Sequence, residues 1–304
     1  MRRAPDGRVS TESHEHAAAV SQSEAFKTKG SMRILVFGGS GIIGQHMQER
    51  IPSGVTAAFP AHEACDLTDK ERVCDVLSTF RPQAIVNLAG ESRPDVVERA
   101  PYAHHAINVG AAYGLVRWCD RNHVQFVQVS TQAVFNGEEP PYGLNAACEP
   151  INEYGKQKRM AENLVLYYPC ATVIRPTFVL GIRPNPNVGR PNPIELMLEG
   201  QRKQVNDRWF SPSFAPDVAR CIWESALERP FSRVIHCGVP IRTNRYEIAR
   251  ALGLNPEPVS HNDFPGIAPR PMDTTYAAGA VHWMSFEQGL RDCLARDQKR
   301  MVTA

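Results

Sequence analysis

Tyr154 and Lys158 stand four residues apart in Tyr154-Gly-Lys-Gln-Lys158, which on a helix puts both on one face. An ammonium beside a phenol favours the phenolate, so this spacing predicts a Tyr154 pKa drawn down toward neutral pH. Such a phenol can give its proton to a carbonyl oxygen while hydride reaches the carbon. A second group is Val129-Ser130-Thr131, at the end of an apolar run. In open parallel sheets, ligands bind beyond the carboxyl ends of the strands, where a Thr131 hydroxyl can hold a substrate carbonyl. Ser130 should point to the other strand face and pack. A third group is Gly38-Gly-Ser-Gly41-Ile-Ile-Gly44, behind the apolar run 33–37. Gly38 permits a tight turn, Gly41 lets the backbone approach phosphates, and Gly44 lets a helix pack close to the strand. The N–H groups of the helical turn begun by Ile42 and Ile43 then face a pyrophosphate. Each group has a bland reading: a solvated helix face, the first residue of a turn, a flexible loop. Their order along the chain is what joins them.

Elements able to position these groups follow from hydrophobic periodicity. Helices are expected over 42–51, 69–80, 102–122, 153–167, 194–199, 217–228, 243–252 and 286–298, with Asn244 a candidate cap. Strands are expected over 33–37, 55–59, 84–88, 125–130, 171–175 and 233–237. Strands alternating with helices at this spacing predict an α/β fold with a doubly wound parallel sheet. Residues 131–150 read as a loop, 260–276 as mostly irregular, and 181–193, rich in Pro, Gly and Asn, as a long loop over the ligand crevice. Residues 1–31 are polar and lack a sustained apolar face, so they read as a disordered extension.

Composition narrows the function classes. The chain has 304 residues, enough for a substantial core, and a formal net charge of +2, too small to imply nucleic acid or an anionic membrane as partner. No apolar run approaches a membrane span. The 8 cysteines include no Cys-x-x-Cys pair, so reduced buried thiols in a cytoplasmic protein are expected, with no metal. His104 and His105 lack a second ligand cluster and read as packing or surface residues. Arg202, Lys203 and Arg208 read as a solvated face, with a substrate diphosphate as the alternative. Trp209 and Phe210 read as structural.

At these motifs the chain resembles the extended short-chain dehydrogenase/reductase family from Met32 to its end. The matching residues are the glycine turn, Asp66-Leu67, Asn87-Leu-Ala-Gly90, Asn108, Ser130-Thr131, Tyr154 with Lys158, and Arg175-Pro176-Thr177. Within that family, Ser130-Thr-Gln-Ala-Val-Phe-Asn-Gly137, Asn152-Glu-Tyr-Gly-Lys-Gln-Lys158 and Arg270-Pro271 are similar to the dTDP-4-dehydrorhamnose reductase branch. The resemblance implies a Rossmann-type NAD(P)-binding domain over 32–180, its sheet completed by about 211–239. It also implies a smaller substrate-binding region from 181–210 and 240–304. It implies that Gly38, Gly41, Ile42, Ile43 and Gly44 hold the pyrophosphate, that Asp66 and Leu67 flank the adenine, and that Ala89 and Gly90 line the cofactor. Pro176 and Thr177 would sit near the carboxamide. Tyr154 would be the general acid and Thr131 the carbonyl's guide. Lys158 would bond the nicotinamide ribose and tune Tyr154, with Asn108 supporting Lys158 through a water. The activity implied is reduction of a keto group on a nucleotide-activated deoxysugar. A homodimer built on the long and terminal helices would match many relatives.

Departures from the branch leave the sugar open. Gln132-Ala133 replaces the branch's Asp-Tyr, and Glu91-Ser-Arg-Pro-Asp95 follows its pattern loosely. The same Gln132-Ala133 argues against a dehydratase, which needs an Asp-Glu pair there. A 4-epimerase with bound NAD, or a non-catalytic binding subunit such as the methionine adenosyltransferase beta subunit, are the alternatives. The second strand ends in Ala57-Ala-Phe-Pro-Ala-His62 without the acid that usually bonds the NAD ribose, while His62 stands close by. NADP(H) is therefore expected over NAD(H).

Overall fold

The computed structural model describes residues 31–230, 232–263 and 266–303. The expected disorder of 1–31 concerns residues outside these, save Ser31, and the account below is of the compact unit from Met32 onward. Six strands form one sheet: β1 (Met32–Phe37), β2 (Val55–Ala58), β3 (Ala84–Asn87), β4 (Gln125–Val129), β5 (Ala171–Pro176) and β6 (Val234–Cys237). Their spatial order is β2-β1-β3-β4-β5-β6 and every pairing is parallel. The α/β doubly wound expectation is met.

Both sheet faces are buried, which is why the strands read as apolar runs rather than alternating ones. The period of two still sorts side chains by face. Leu35, Phe37, Ile85, Phe126 and Val173 face helices α2 (Lys70–Phe80), α3 (Ala111–Asn122) and α4 (Glu153–Val165). Ile34, Val36, Val86, Val127 and Ile174 face α1 (Ile42–Glu49) and α5 (Ala215–Leu227), where Met47, Ile222 and Trp223 fill the layer. Each such side chain contributes about 1.5–3 kcal/mol relative to exposure. A third core gathers Leu180, Ile194, Met197, Phe210, Phe214 and Ile248 with Leu290 of the terminal helix α6 (Phe286–Thr303).

Helix ends follow local chemistry. The Asp69 carboxylate accepts from Glu71 N and Arg72 N, both at 3.1 Å, and starts α2, a cap worth about 1 kcal/mol. Asn244 Oδ1 accepts from Glu247 N at 2.9 Å, as expected of a cap. The helix expected over 102–122 is present as an unbroken helical run over 101–122, with two features the periodicity did not show: Ala106–Gly110 is a π-helical segment leading into α3, and a short helix at Pro94–Arg99 precedes the run. Pro at the first helical position starts each short helix. The stretch 260–276, expected to be mostly irregular, contains the short strand Asp273–Thr274, paired with Trp209–Phe210.

His236 of β6 lies between the Tyr276 ring, stacked at 4.1 Å, and the edge of Phe135. Burial first, then the charge of Arg175, lowers its pKa to about 4. The unfolded side chain takes a proton below about 6.5, so this stabilisation is complete above that pH and is lost as the pH falls toward 4. Thermal unfolding followed from about pH 7.5 to about pH 4.5 should show a steeper acid loss of Tm for wild type than for His236→Gln. Parallel curves would refute the assignment.

Candidate functional site

The site is built at the carboxyl ends of β1, β3 and β4. The glycine turn closes tightly on the end of β3: Gly38 has φ +86°, and a Cβ there would stand 2.7 Å from Ala89 N. A Cβ on Gly44 would stand 2.6 Å from Gly39 Cα, so α1 packs against its own turn. A Cβ on Gly41 would meet only Gly38 O, at 3.6 Å. Gly41 caps α1 with no side-chain hydrogen bond, leaving the first-turn N–H groups of Ile42 and Ile43 open. Open space at Gly41 beside uncapped N–H donors fits the pyrophosphate of a dinucleotide.

Thr131 follows β4 in extended conformation. Its Oγ1 accepts from Ala133 N at 3.1 Å and donates to Gln132 Oε1 at 3.1 Å. Asn152 starts α4: its Oδ1 accepts from Gly155 N at 2.8 Å, while its Nδ2 donates to Pro269 O at 2.8 Å. This places Tyr154 in the first turn, buried with Val97 and Ala133 and facing the Thr131 hydroxyl. One turn on, Lys158 Nζ donates to Val129 O at 2.6 Å. The structure thus brings Thr131, Tyr154 and Lys158 to the end of one strand. Ser130 turns away from them, buried toward Glu162.

The expected downward shift of Tyr154 is corrected. Burial pushes its pKa up to about 12, and the Glu91 carboxylate adds to the rise, against the Thr131 hydrogen bond and the Arg190 charge. Lys158 is not among the groups acting on it. Burial lowers Lys158 to about 8, opposed by Glu162. Desolvation is the largest cause of both shifts, and it acts against the charged form of each group.

The other predicted residues divide. Asn108 lies in the π-helical segment, and its Nδ2 donates to Gln157 Oε1 at 2.9 Å and to Glu91 O at 3.2 Å. Its contact is with the neighbour of Lys158. Gly90 lies against it, since a Cβ there would reach 2.7 Å from Asn108 Oδ1, and Ala89 N donates to Asn87 Oδ1 at 3.1 Å. Asp66 is held by Thr68 N and Thr68 Oγ1, both at 2.8 Å, with His62 Nε2 at 4.0 Å. The Leu67 side chain packs in the core. Pro176 ends β5, and Thr177 N donates to Ser213 Oγ at 2.9 Å, with the Thr177 side chain buried.

Sequence reasoning missed several groups. Glu162, fully buried, binds Arg175 through Nε at 2.9 Å and Nη2 at 2.7 Å. Arg202 and Lys203 are exposed as expected, but Arg208 is half-buried, and burial with the charges of Arg270 and Arg245 lowers its pKa to about 10. Arg208 Nε donates to Pro271 O at 3.5 Å, whereas Arg270 pairs with Asp95 at 2.6 Å. Arg208 thus stands among the charges of Arg270 and Arg245 on one side and Asp207 and Asp95 on the other. Among the described residues no group of three His, Cys, Asp or Glu is arranged to hold a metal, and no helix is long and apolar enough to cross a membrane.

The family described as the RmlD substrate binding domain matches residues 32–298. The chain belongs to that family, within the extended short-chain dehydrogenase/reductases, which are NAD(P)-dependent oxidoreductases. It is 31% identical over 236 residues to a methionine adenosyltransferase 2 subunit beta of Danio rerio, covering 72% of each chain. It is 29% identical over 233 residues to a dTDP-4-keto-6-deoxy-D-glucose reductase of Streptomyces niveus, covering 74% of this chain and 80% of that one. Its fold matches a crystal structure of dTDP-4-dehydrorhamnose reductase from Bacillus anthracis in complex with NADP. The TM-score is 0.79 at 21% identity, over 88% of this chain and 99% of that one.

Gly155 shows how closely α4 is seated. A Cβ there would stand 2.2 Å from Ala133 O and 2.9 Å from Pro150 Cβ. Gly155→Ala should force the helix start away from Thr131 and cost about 1–3 kcal/mol by denaturant unfolding. Unchanged stability would show that this turn yields freely.

Proposed function

We propose that this chain reduces a keto group on a nucleotide-activated deoxysugar, using NAD(P)H, with Tyr154 as proton donor. The observation that carries the reading is the convergence of Thr131, Tyr154 and Lys158 at the end of β4, beside an open, uncapped glycine turn. A nicotinamide dinucleotide held at the glycine turn of Gly38, Gly41 and Gly44 would supply the hydride. Thr131 releases its hydrogen bond to Gln132 and holds the carbonyl oxygen. Tyr154, with its pKa raised, is fully protonated near neutral pH, the form a reduction requires. The alkoxide forming on substrate is far more basic than a phenolate, so transfer from this buried phenol runs downhill. The protonated Lys158 then stabilises the phenolate left behind.

Half-buried Arg208 beside Arg270 supports an anionic substrate such as a sugar diphosphate, with the Asp207 and Asp95 carboxylates offsetting part of the positive charge. NADP(H) over NAD(H) is supported by the β2 end, where Ala58, Phe59 and Pro60 bring no acid. Arg72 lines the same groove, a space of about 620 Å3, together with Asp75. A second reading, a binding subunit that keeps the fold without turnover, is favoured by the similarity to the Danio rerio subunit.

Calorimetric titration with NADPH and NADH, followed by oxidation assays over 4-keto-sugar nucleotides, separates the two. The reductase reading expects NADPH to bind and turn over, with Tyr154→Phe losing about 10²–10⁴-fold in kcat while still binding cofactor. Binding without turnover on any sugar would favour the subunit. Because Lys158 loses its charge near pH 8, kcat/KM should fall as the pH rises through about 8. That limb should vanish in Lys158→Met, and a limb surviving there would assign it to another group.

A further inference from the structure

Residues 181–193 contain no helix or strand until Pro193, yet they are pinned at many points. Buried Arg183 donates through Nε to Glu195 Oε2 at 2.8 Å. Its Nη1 reaches the carbonyls of Pro186, Val188 and Gly189 at 2.8, 3.1 and 3.1 Å. Gln45 of α1 ties the same segment to the glycine turn. It accepts from Asn185 N at 2.8 Å and donates to Val188 O at 3.0 Å and Ser40 O at 2.9 Å. Gly189, at φ +75°, lies against the turn itself, for a Cβ there would stand 2.7 Å from Ser40 O.

The next residue is Arg190. From its backbone position above Ser40 its side chain reaches Ser92 Oγ, at 2.8 Å, in the segment that follows β3. The guanidinium therefore spans from the β1 turn to the β3 turn, across the crevice at which the strand order reverses. A dinucleotide laid on the glycine turn must pass through that crevice. Arg190 is exposed, and its charge is felt at both Glu91 and Tyr154. Its hydrogen bond is to a neutral hydroxyl, while the nearby Glu91 carboxylate is paired with Arg93. Residues 38–44 carry no charged side chain, and a helix N-terminus offers only about half a positive charge to a doubly charged pyrophosphate.

We propose that Arg190 is the cation that closes on the cofactor pyrophosphate, exchanging Ser92 Oγ for a phosphate oxygen. The inference rests on the reductase reading only in needing a dinucleotide at the glycine turn. It is tested by calorimetric Kd values of the full chain for NADPH, NADH and ADP-ribose, with adenosine as the probe lacking phosphate. Arg190→Ala should weaken the three phosphate-bearing ligands by a common factor of about ten or more and leave adenosine unchanged. Arg190→Lys should recover part of the loss, and Ser92→Ala should cause none. Unchanged Kd values in Arg190→Ala would overturn the proposal, as would tighter ones, which would make the side chain a plug. Equal losses in Arg190→Ala and Ser92→Ala would also overturn it, leaving Arg190 a mere pin for the segment. If wild type binds none of the three, the reductase reading falls too; if it binds them and Arg190→Ala matches it, only this inference falls.

Discussion

The buried ion pair between Glu162 and Arg175 is the constraint on which the site depends. It joins α4, which carries Tyr154 and Lys158, to β5 in the middle of the sheet. Burial opposes ionisation of Glu162, yet the hydrogen bonds and charge of Arg175 outweigh it and hold the carboxyl below its usual range. Removing one partner of such a pair costs about 3–5 kcal/mol, because the other is left charged and dry. The pair is also well supplied with further partners. Arg159 adds a bond to Glu162 at 3.0 Å, and Tyr276 donates to Arg175 O at 2.9 Å. The rotation of α4 about its axis, and so the aim of its catalytic face, is set by a bidentate contact one turn beyond Lys158.

The same carboxylate acts on the chemistry. Glu162 raises the Lys158 pKa against burial. The structural anchor of the helix thus favours the charged form of its lysine. Packing and electrostatics are here a single arrangement, since a neutral anchor of equal shape would hold α4 in place and leave Lys158 more readily deprotonated.

Much of this was legible in the residues. The six sheet strands are short, branched and apolar because both faces are covered, and each was recognisable on that ground. The glycine turn, Thr131, Tyr154 and Lys158 were recognisable because their spacing maps onto a strand end or a helix face. What was not legible has physical causes. The π-helical segment Ala106–Gly110 breaks a 3.6-residue period by one residue, and a periodicity argument smooths over that. The Tyr154 shift depends on burial, which pairwise spacing does not report. Gln45 meets Asn185 and Val188 across long sequence separations, so nothing local marked it. Arg208 and its exposed neighbours Arg202 and Lys203 look alike in sequence, and only their burial tells them apart.

The π-helical segment has a wider consequence. One extra residue in a helical turn rotates everything beyond it by about 100°. The residues before the offset, Tyr102 to His105, and those after it, such as Leu115 and Cys119, therefore answer to different surroundings. Asn108, at the offset, belongs to the site, while α3 belongs to the sheet. The two halves of what reads as one amphipathic stretch are free to drift separately over evolutionary time. Substrate-side residues can be exchanged without disturbing the core, provided the offset itself is kept. An insertion or deletion of a single residue there would be far more damaging than many substitutions on either side.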